Sequence, residues 1–438
     1  MKDRPWLPAD SSDKGAGRPR ASLGRSMPQG RRHQGAVALT VALSLLFLLG
    51  FMGVALDFGR LFVIRAELQT AVDACALAAA SELDGRADAL TRAGNAGVRA
   101  GNLNAVNFQS SSWAGRPQLS TASLQFLDRD AQLTTQPAQA RYARCTHTHQ
   151  SVGAWLMPAL RAFSGDARMA SADRVGAQAL ATRRNAQTAC PLPVAFRPTS
   201  GASAPSYGLT VGQWVTLVGN KSLAPGGQIG WANLDGSVNA AETERELLGY
   251  CGVRVGDRLG TPGAQASVTD AWNLRFGIQK NNPPPEAAAL LDRTGYAYTA
   301  KNWPSQFGAY RGATPAGAHA TAANYLTKSA VGASCADTGA RLNDCESITG
   351  LQLSGGSKTL VPPGPAYASQ TRVVIVPVVN ANAQVTDYLC MLMLQPMSSP
   401  MINLQFEFIG NAANADSPCL TSGLPGGNLG PLVATLVR

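Results

Sequence analysis

The feature that most constrains this chain is an uncharged apolar run from Ala36 to Leu56, AVALTVALSLLFLLGFMGVAL. At 1.5 Å of rise per residue, about 21 residues make about 31 Å of helix, enough to cross the hydrocarbon core of a bilayer. Arg25, Arg31 and Arg32 precede the run and Asp57 follows it, so the positive-inside bias leaves the N-terminus in the cytoplasm and exports the rest. A cleavable signal would have a shorter apolar stretch ending at a small-residue cleavage site. Here DFGRLFVIR follows instead, and the run reads as a retained single-pass anchor in contact with lipid.

The net charge of +10 suggests nucleic acid until it is located. Half of it lies in residues 1–34, where Lys2, Arg4, Lys14, Arg18, Arg20, Arg25, Arg31 and Arg32 outweigh Asp3, Asp10 and Asp13. That Arg/Pro/Gly/Ser-rich stretch reads as a disordered basic cytoplasmic tail. The rest has no dense basic stripe interleaved with aromatics, so no nucleic-acid partner is expected. With 438 residues the chain exceeds one folding unit, and its 15% charged residues, 45 Gly and 27 Pro favour turns, strands and covered surface over a highly charged soluble exterior.

After the anchor, Leu61, Ile64, Leu68, Ala71, Cys75 and Ala78 recur at alternating spacings of three and four, the seam of a heptad pattern. The alanines around them form a small-residue surface that lets another backbone come close. The expectation is an exported helical stalk packed on a partner helix, its alanine-rich composition extending over residues 58–110. Residues 115–188 follow as a small α/β region. PQLSTASLQFLDRD alternates like a strand and AQARYARCTHT suggests a second. VGAWLMPALRAF reads as a short amphipathic helix, and DARMASADRVGAQALA as either strand or helix. From 189 to 438, short apolar pieces such as TRVVIVPVVN and INLQFEFIG sit between Gly/Pro-rich connections, the pattern of a β-rich domain. Residues 281–370, with NNPPP and VPPGPAYA, read as an elaborated loop region. The fold class is therefore α+β: a transmembrane helix over 35–57, a stalk, a small α/β layer and a β-rich domain.

Six cysteines, Cys190, Cys251, Cys335, Cys345, Cys390 and Cys419, lie in the second half without a Cys-x-x-Cys pair. They read as disulfides of an oxidising compartment, with Cys335–Cys345 and Cys390–Cys419 the expected pairs.

The segment GAVALTVALSLLFLLGFMGVALDFGRLFVIRAELQTAVDACALAAASELDG, Gly35 to Gly85, resembles the N-terminal segment of TadG/TadE-like proteins of the Flp (tight adherence, Tad) pilus assembly machinery. In that family a Gly/Ala-rich transmembrane helix runs into an Asp-x-Gly-Arg motif, here Asp57, Gly59 and Arg60, and an alanine-rich helix. The resemblance implies a bacterial inner-membrane protein with a periplasmic C-terminal domain. Its implied partners are other single-span pilin or assembly helices and the Tad secretion machinery, and its implied outcomes are adherence and biofilm formation. Larger members carry a metal site beginning Asp-x-Ser-x-Ser. LDGSVN supplies Asp235 and Ser237 but Asn239 in place of the last serine, so no metal is expected. Pseudopilins cut by prepilin peptidase keep a Glu five residues after the scissile glycine. Counting from Gly35 that position is Thr40, and an uncut N-terminus is expected.

No Gly-x-Ser-x-Gly elbow, phosphate loop or His-Glu-x-x-His occurs, so neither an enzyme nor a cofactor is expected. His147 and His149 share a strand face, but two ligands are too few for a metal. Asp57 and Arg60, three apart at the bilayer exit, read either as an interhelical polar clamp or as an intrahelical pair that snorkels. Cys75 reads as a small packing residue. Trp214, Trp231, Trp272 and Trp303 read as core, or as a binding platform. The helix interface is thus assigned to Asp57, Gly59, Arg60, Leu61, Ile64, Leu68, Ala71, Cys75 and Ala78. The rival function is a membrane-tethered adhesin that recognises a surface or glycan.

Overall fold

The computed structural model describes residues 34–107, 115–153, 165, 172–219, 224–261, 268–280, 287–335, 341–353, 358–361, 370–398 and 403–437. Residues 1–33, most of the VGAWLMPALRAF segment, the NNPPP stretch and most of VPPGPAYA lie outside them. Two compact units form, one of residues 1–59 with 153–171 and one of 60–152 with 172–438.

In the first unit the described part is the start of helix α1 (Gln34–Ser81). Between Val37 and Phe58 its large apolar side chains are bare, Phe47 being 73% and Phe51 69% exposed. Alanine and leucine favour the helix and no proline interrupts it. Nothing in its own unit's described residues removes these side chains from water, which is the state of a helix made for lipid or for other helices.

The second unit begins inside α1. Its stalk part ends at Ser81, and residues 82–88 turn the chain at Gly85, whose φ of +77° suits glycine. Helix α2 (Ala89–Asn102) then comes back along α1. A Cβ at Gly97 would lie 3.0 Å from the Cys75 carbonyl oxygen and 3.2 Å from Ala79 Cβ, and one at Gly101 would lie 3.1 Å from the Ala71 carbonyl oxygen. The two helices therefore run antiparallel in backbone contact. The stalk expected over 58–110 is instead a helical hairpin. Its breaker was the Asp-Gly of Asp84–Gly85, a turn signal outweighed by the alanines around it.

The hairpin packs on an antiparallel sheet of order β1-β2-β3-β12, formed by β1 (Leu124–Leu127), β2 (Tyr142–Gly153), β3 (Ala172–Asn185) and β12 (Leu432–Leu436). The DARMASADRVGAQALA segment is thus a strand where it is described. Ala143, Ala177, Ala179 and Ala181 join Ile64, Leu68, Ala71, Val72, Cys75, Ala76 and Ala79 in one buried cluster. Small residues on both surfaces let helix and sheet approach closely enough to exclude water. Strand β12 lies near the end of the chain, beyond the β-rich domain, yet pairs with β3 from Leu432↔Asn185 to Leu436↔Ala181. The 188/189 boundary therefore divides the chain in sequence while the small layer is completed from its far end.

The β-rich domain is a closed six-stranded barrel of order β10-β11-β5-β6-β4-β9. Its strands are β4 (Val194–Arg197), β5 (Trp214–Leu217), β6 (Gln228–Trp231), β9 (Val373–Val379), β10 (Val385–Met393) and β11 (Leu404–Asn411). A separate hairpin joins β7 (Ile278–Lys280) to β8 (Lys358–Leu360). Strands β9 and β10 read VVIVPVV and VTDYLCMLM because both faces are covered. Val376, Val378, Leu389 and Met391 fill the barrel with Phe196, Trp231, Phe406 and Phe408. Ile375, Cys390 and Leu392 point outward under Tyr296, Tyr298, Trp303, Tyr310 and Tyr325. The region expected as an elaborated loop thus supplies an ordered second layer, with helices at Tyr325–Val331 and Leu342–Thr349. Arg372, fully buried, ties this layer to the barrel. Its guanidinium donates to the carbonyls of Thr294, Tyr296 and Met393 at 2.8–3.1 Å and lies 4.2 Å from the Phe276 ring centroid.

Candidate functional site

The helix assigned as an interface has two faces, and the structure separates them. Ile64, Leu68, Ala71 and Cys75 are 0–2% exposed, covered by the chain's own sheet and by α2; Leu61 and Ala78 are half-buried. The seam is thus covered from within the chain, by α2 and the sheet, where the sequence reading expected the helix of another subunit. A heptad seam reports that a face is covered and is silent about whether a helix or a sheet covers it. Cys75 is more than a packing residue: it is disulfide-bonded to Cys145 on β2. The other bridges are Cys190–Cys251, Cys335–Cys345 and Cys390–Cys419.

What stays exposed on α1 is a different stripe. Leu56, Gly59, Val63, Ala66 and Thr70 follow one another at spacings of three and four, with Phe58 and Phe62 beside them, all exposed. Phe62 is 67% and Val63 57% exposed, and Gly59 has open space where a Cβ would stand. Sequence reasoning placed Gly59 in the interface but missed Phe58, Phe62 and Val63. Their signal was the surplus of apolar residues over one seam's needs. Asp57 is buried, at 5% exposure. Arg60 donates to Asn107 Oδ1 at 3.4 Å, and Glu67 accepts the Asn107 backbone N–H at 2.8 Å. The segment that follows α2 is thus fastened to the start of the stalk by Arg60 and Glu67.

Elsewhere the expected site residues fall into structural roles. Trp231, Trp272 and Trp303 are 0–2% exposed, and Trp214 is half-buried with its indole N–H donated to Glu407 at 3.3 Å. They form no exposed platform. His147 and His149 stand edge to face at 6.5 Å and are half-buried; burial, then the neighbouring His149, lowers the His147 pKa. The carboxylates of Asp235, Glu242 and Glu246 come within 4.8 Å of one another, a donor set of the kind a hard cation uses. The sequence reading considered Asp235 with Ser237 and missed the two glutamates, which arrive from the following helix. Glu246 is already engaged by the backbone N–H groups of Leu234 and Asp235 at 2.8–3.0 Å.

Glu407 carries a pH signature. It accepts the Tyr310 backbone N–H at 3.0 Å, and burial pushes its pKa from the ordinary 4.5 to about 7. Between those two values the folded protein holds a proton that the unfolded chain has released. Stability from this group is therefore greatest at low pH and is lost as pH rises through about 7, with a slope of up to ~1.4 kcal/mol per pH unit. Urea titrations from pH 5 to 7.5 should show this decline and a shallower one in Glu407→Gln. Equal slopes would remove Glu407 as its source.

Residues 35–82 match the family model described as "Putative Flp pilus-assembly TadE/G-like". No curated protein matches the chain, and no solved structure does. The match begins one residue inside α1 and ends one residue past it, so it covers the bare apolar span, the Asp57-Gly59-Arg60 motif and the alanine-rich seam. Residues 35–82 are thus similar to the TadE/G-like family of Flp pilus assembly, and they lie on a helix long and apolar enough for a membrane anchor.

Proposed function

We propose that this chain is a non-catalytic, single-pass inner-membrane subunit of Flp pilus biogenesis, pseudopilin-like or an assembly factor, that supports adherence. Its basic tail lies in the cytoplasm and everything after Asp57 in the periplasm. One observation carries the reading: α1 spends its seam on its own sheet and still presents an apolar stripe through Leu56, Gly59, Phe62 and Val63, next to the lipid-length span. Such a stripe at the membrane exit suits neighbouring single-span helices, with Gly59 allowing close approach. Four disulfides support an oxidising compartment for the remainder.

The test replaces Phe62 and Val63 together by glutamate. Both are exposed, so insertion and disulfide formation should be unchanged. Site-specific photocrosslinks from position 59 to other pilus-assembly subunits should fall about tenfold or more, as for loss of an interface anchor. Undiminished crosslinking would defeat the proposal. The adhesin reading gains nothing from the tryptophans, since they are interior.

A further inference from the structure

We propose that a cleft lined by Asp84, Arg86, Arg141, Arg311 and Asp416 is a binding site for a small oxyanion, a carboxylate or a phosphate. The cleft opens to solvent and encloses about 480 Å³. The inference is independent of the pilus reading.

Three stretches of chain meet there: the corner of the helical hairpin, the loop before β2, and two loops of the barrel domain. The carboxylates on hand do not balance the guanidinium groups. Asp84 is taken on both oxygens, by Arg92 at 2.7 Å and by Arg86 at 3.4 Å. Among the described residues the Arg141 guanidinium makes one hydrogen bond, from Nη1 to the adjacent Ala140 carbonyl at 2.9 Å, and its buried Nε has no partner. Arg311 is exposed, with no hydrogen bond or ion pair to the described residues. Behind them Arg183 donates Nη1 to the Leu83 carbonyl at 2.8 Å, while its buried Nε is also unpartnered. Burial draws the Arg183 pKa down to about 10 against the raising charges of Asp84, Glu82 and Asp416, and the nearby charge of Arg141 adds to the lowering.

Guanidinium groups held near one another, short of acceptors and facing a cleft are what an oxyanion satisfies, because each planar fork can give two parallel hydrogen bonds. Arginines held near one another repel, and a bound anion would relieve that repulsion. A bound anion would also fasten the hairpin corner to the barrel loops. Arg86 already starts that link by donating to the Tyr310 hydroxyl.

The test is calorimetric titration of the full chain in detergent micelles with inorganic phosphate and, separately, with citrate, at ionic strength fixed with sodium chloride. Saturable binding of either one is the expected result, and which anion binds identifies the carboxylate or phosphate preference. Arg311→Gln should weaken that binding about tenfold, as for loss of one charge-assisted contact. Arg141→Gln should weaken it similarly, and Arg129→Gln, at an exposed position that does not line the cleft, should leave it unchanged. Arg311 is exposed, so its variant should fold and keeps the test decisive. No saturable heat with either anion, or wild-type binding in Arg311→Gln, overturns the site.

Discussion

Replacing Arg372 by leucine should lower the unfolding free energy by about 3–5 kcal/mol, the range for breaking a buried, hydrogen-bonded charge network. The side chain has no exposed surface. Its removal strands the carbonyl oxygens of Thr294, Tyr296 and Met393. It also strips Asp292 of the nearby positive charge that opposes the upward pull of burial on its pKa. Leucine fills part of the volume and answers none of those acceptors. Lysine keeps the charge but not the fork, so it should recover only part of the loss. Denaturant midpoints followed by near-ultraviolet circular dichroism would measure both variants, since Tyr296, Tyr298, Trp303 and Tyr325 lie in the layer that Arg372 fastens. A leucine variant within about 1 kcal/mol of wild type would mean that the carbonyls find other donors.

The second large effect is expected at Cys75 and Cys145. Their bridge closes a separation of 70 residues, and the chain-entropy relation gives about 4 kcal/mol for a loop of that length. For Cys335–Cys345, separated by 10 residues, the same relation gives about 3 kcal/mol. The double variant Cys75→Ala, Cys145→Ala should therefore lose more stability than Cys335→Ala, Cys345→Ala. The loss should appear in the hairpin and sheet, read by hydrogen exchange of α2 and β2. Equal protection in both variants would show that alanine packing alone holds the layer. The bridge also joins the helix that matches the pilus-assembly family model to a strand outside the matched residues. Completion of the fold is thereby linked to an oxidising compartment, because the thiols must be oxidised before the helix is pinned.

Much of the architecture could be read from residue order. The bare span follows from the length and lack of charge of residues 36–56, and the strands β9, β10 and β11 from runs such as VVIVPVV bounded by turn residues. Cys335–Cys345 is expected because it closes a short loop, and Cys390–Cys419 is the other expected pair. Cys75–Cys145 was not, because nothing local relates the two positions. The seam at Ile64, Leu68 and Ala71 was visible as a covered face. Its cover was not, since a helix and an alanine-rich sheet leave the same trace on the residues they bury. The exposed Phe62 stripe became visible only once that cover was known.

The sequence by itself determined where the chain meets lipid, that the segment from Gly35 has the TadE/G order of span, motif and alanine-rich helix, and that a β-rich region follows. Those properties are periodicities and compositions, which are local. Only the tertiary structure decided that the helix seam is closed by the chain's own sheet, that the last strand returns to complete that sheet, and that arginines from separate segments converge on one cleft. Each depends on contacts between residues far apart in the chain, and local pattern carries no record of distance in space.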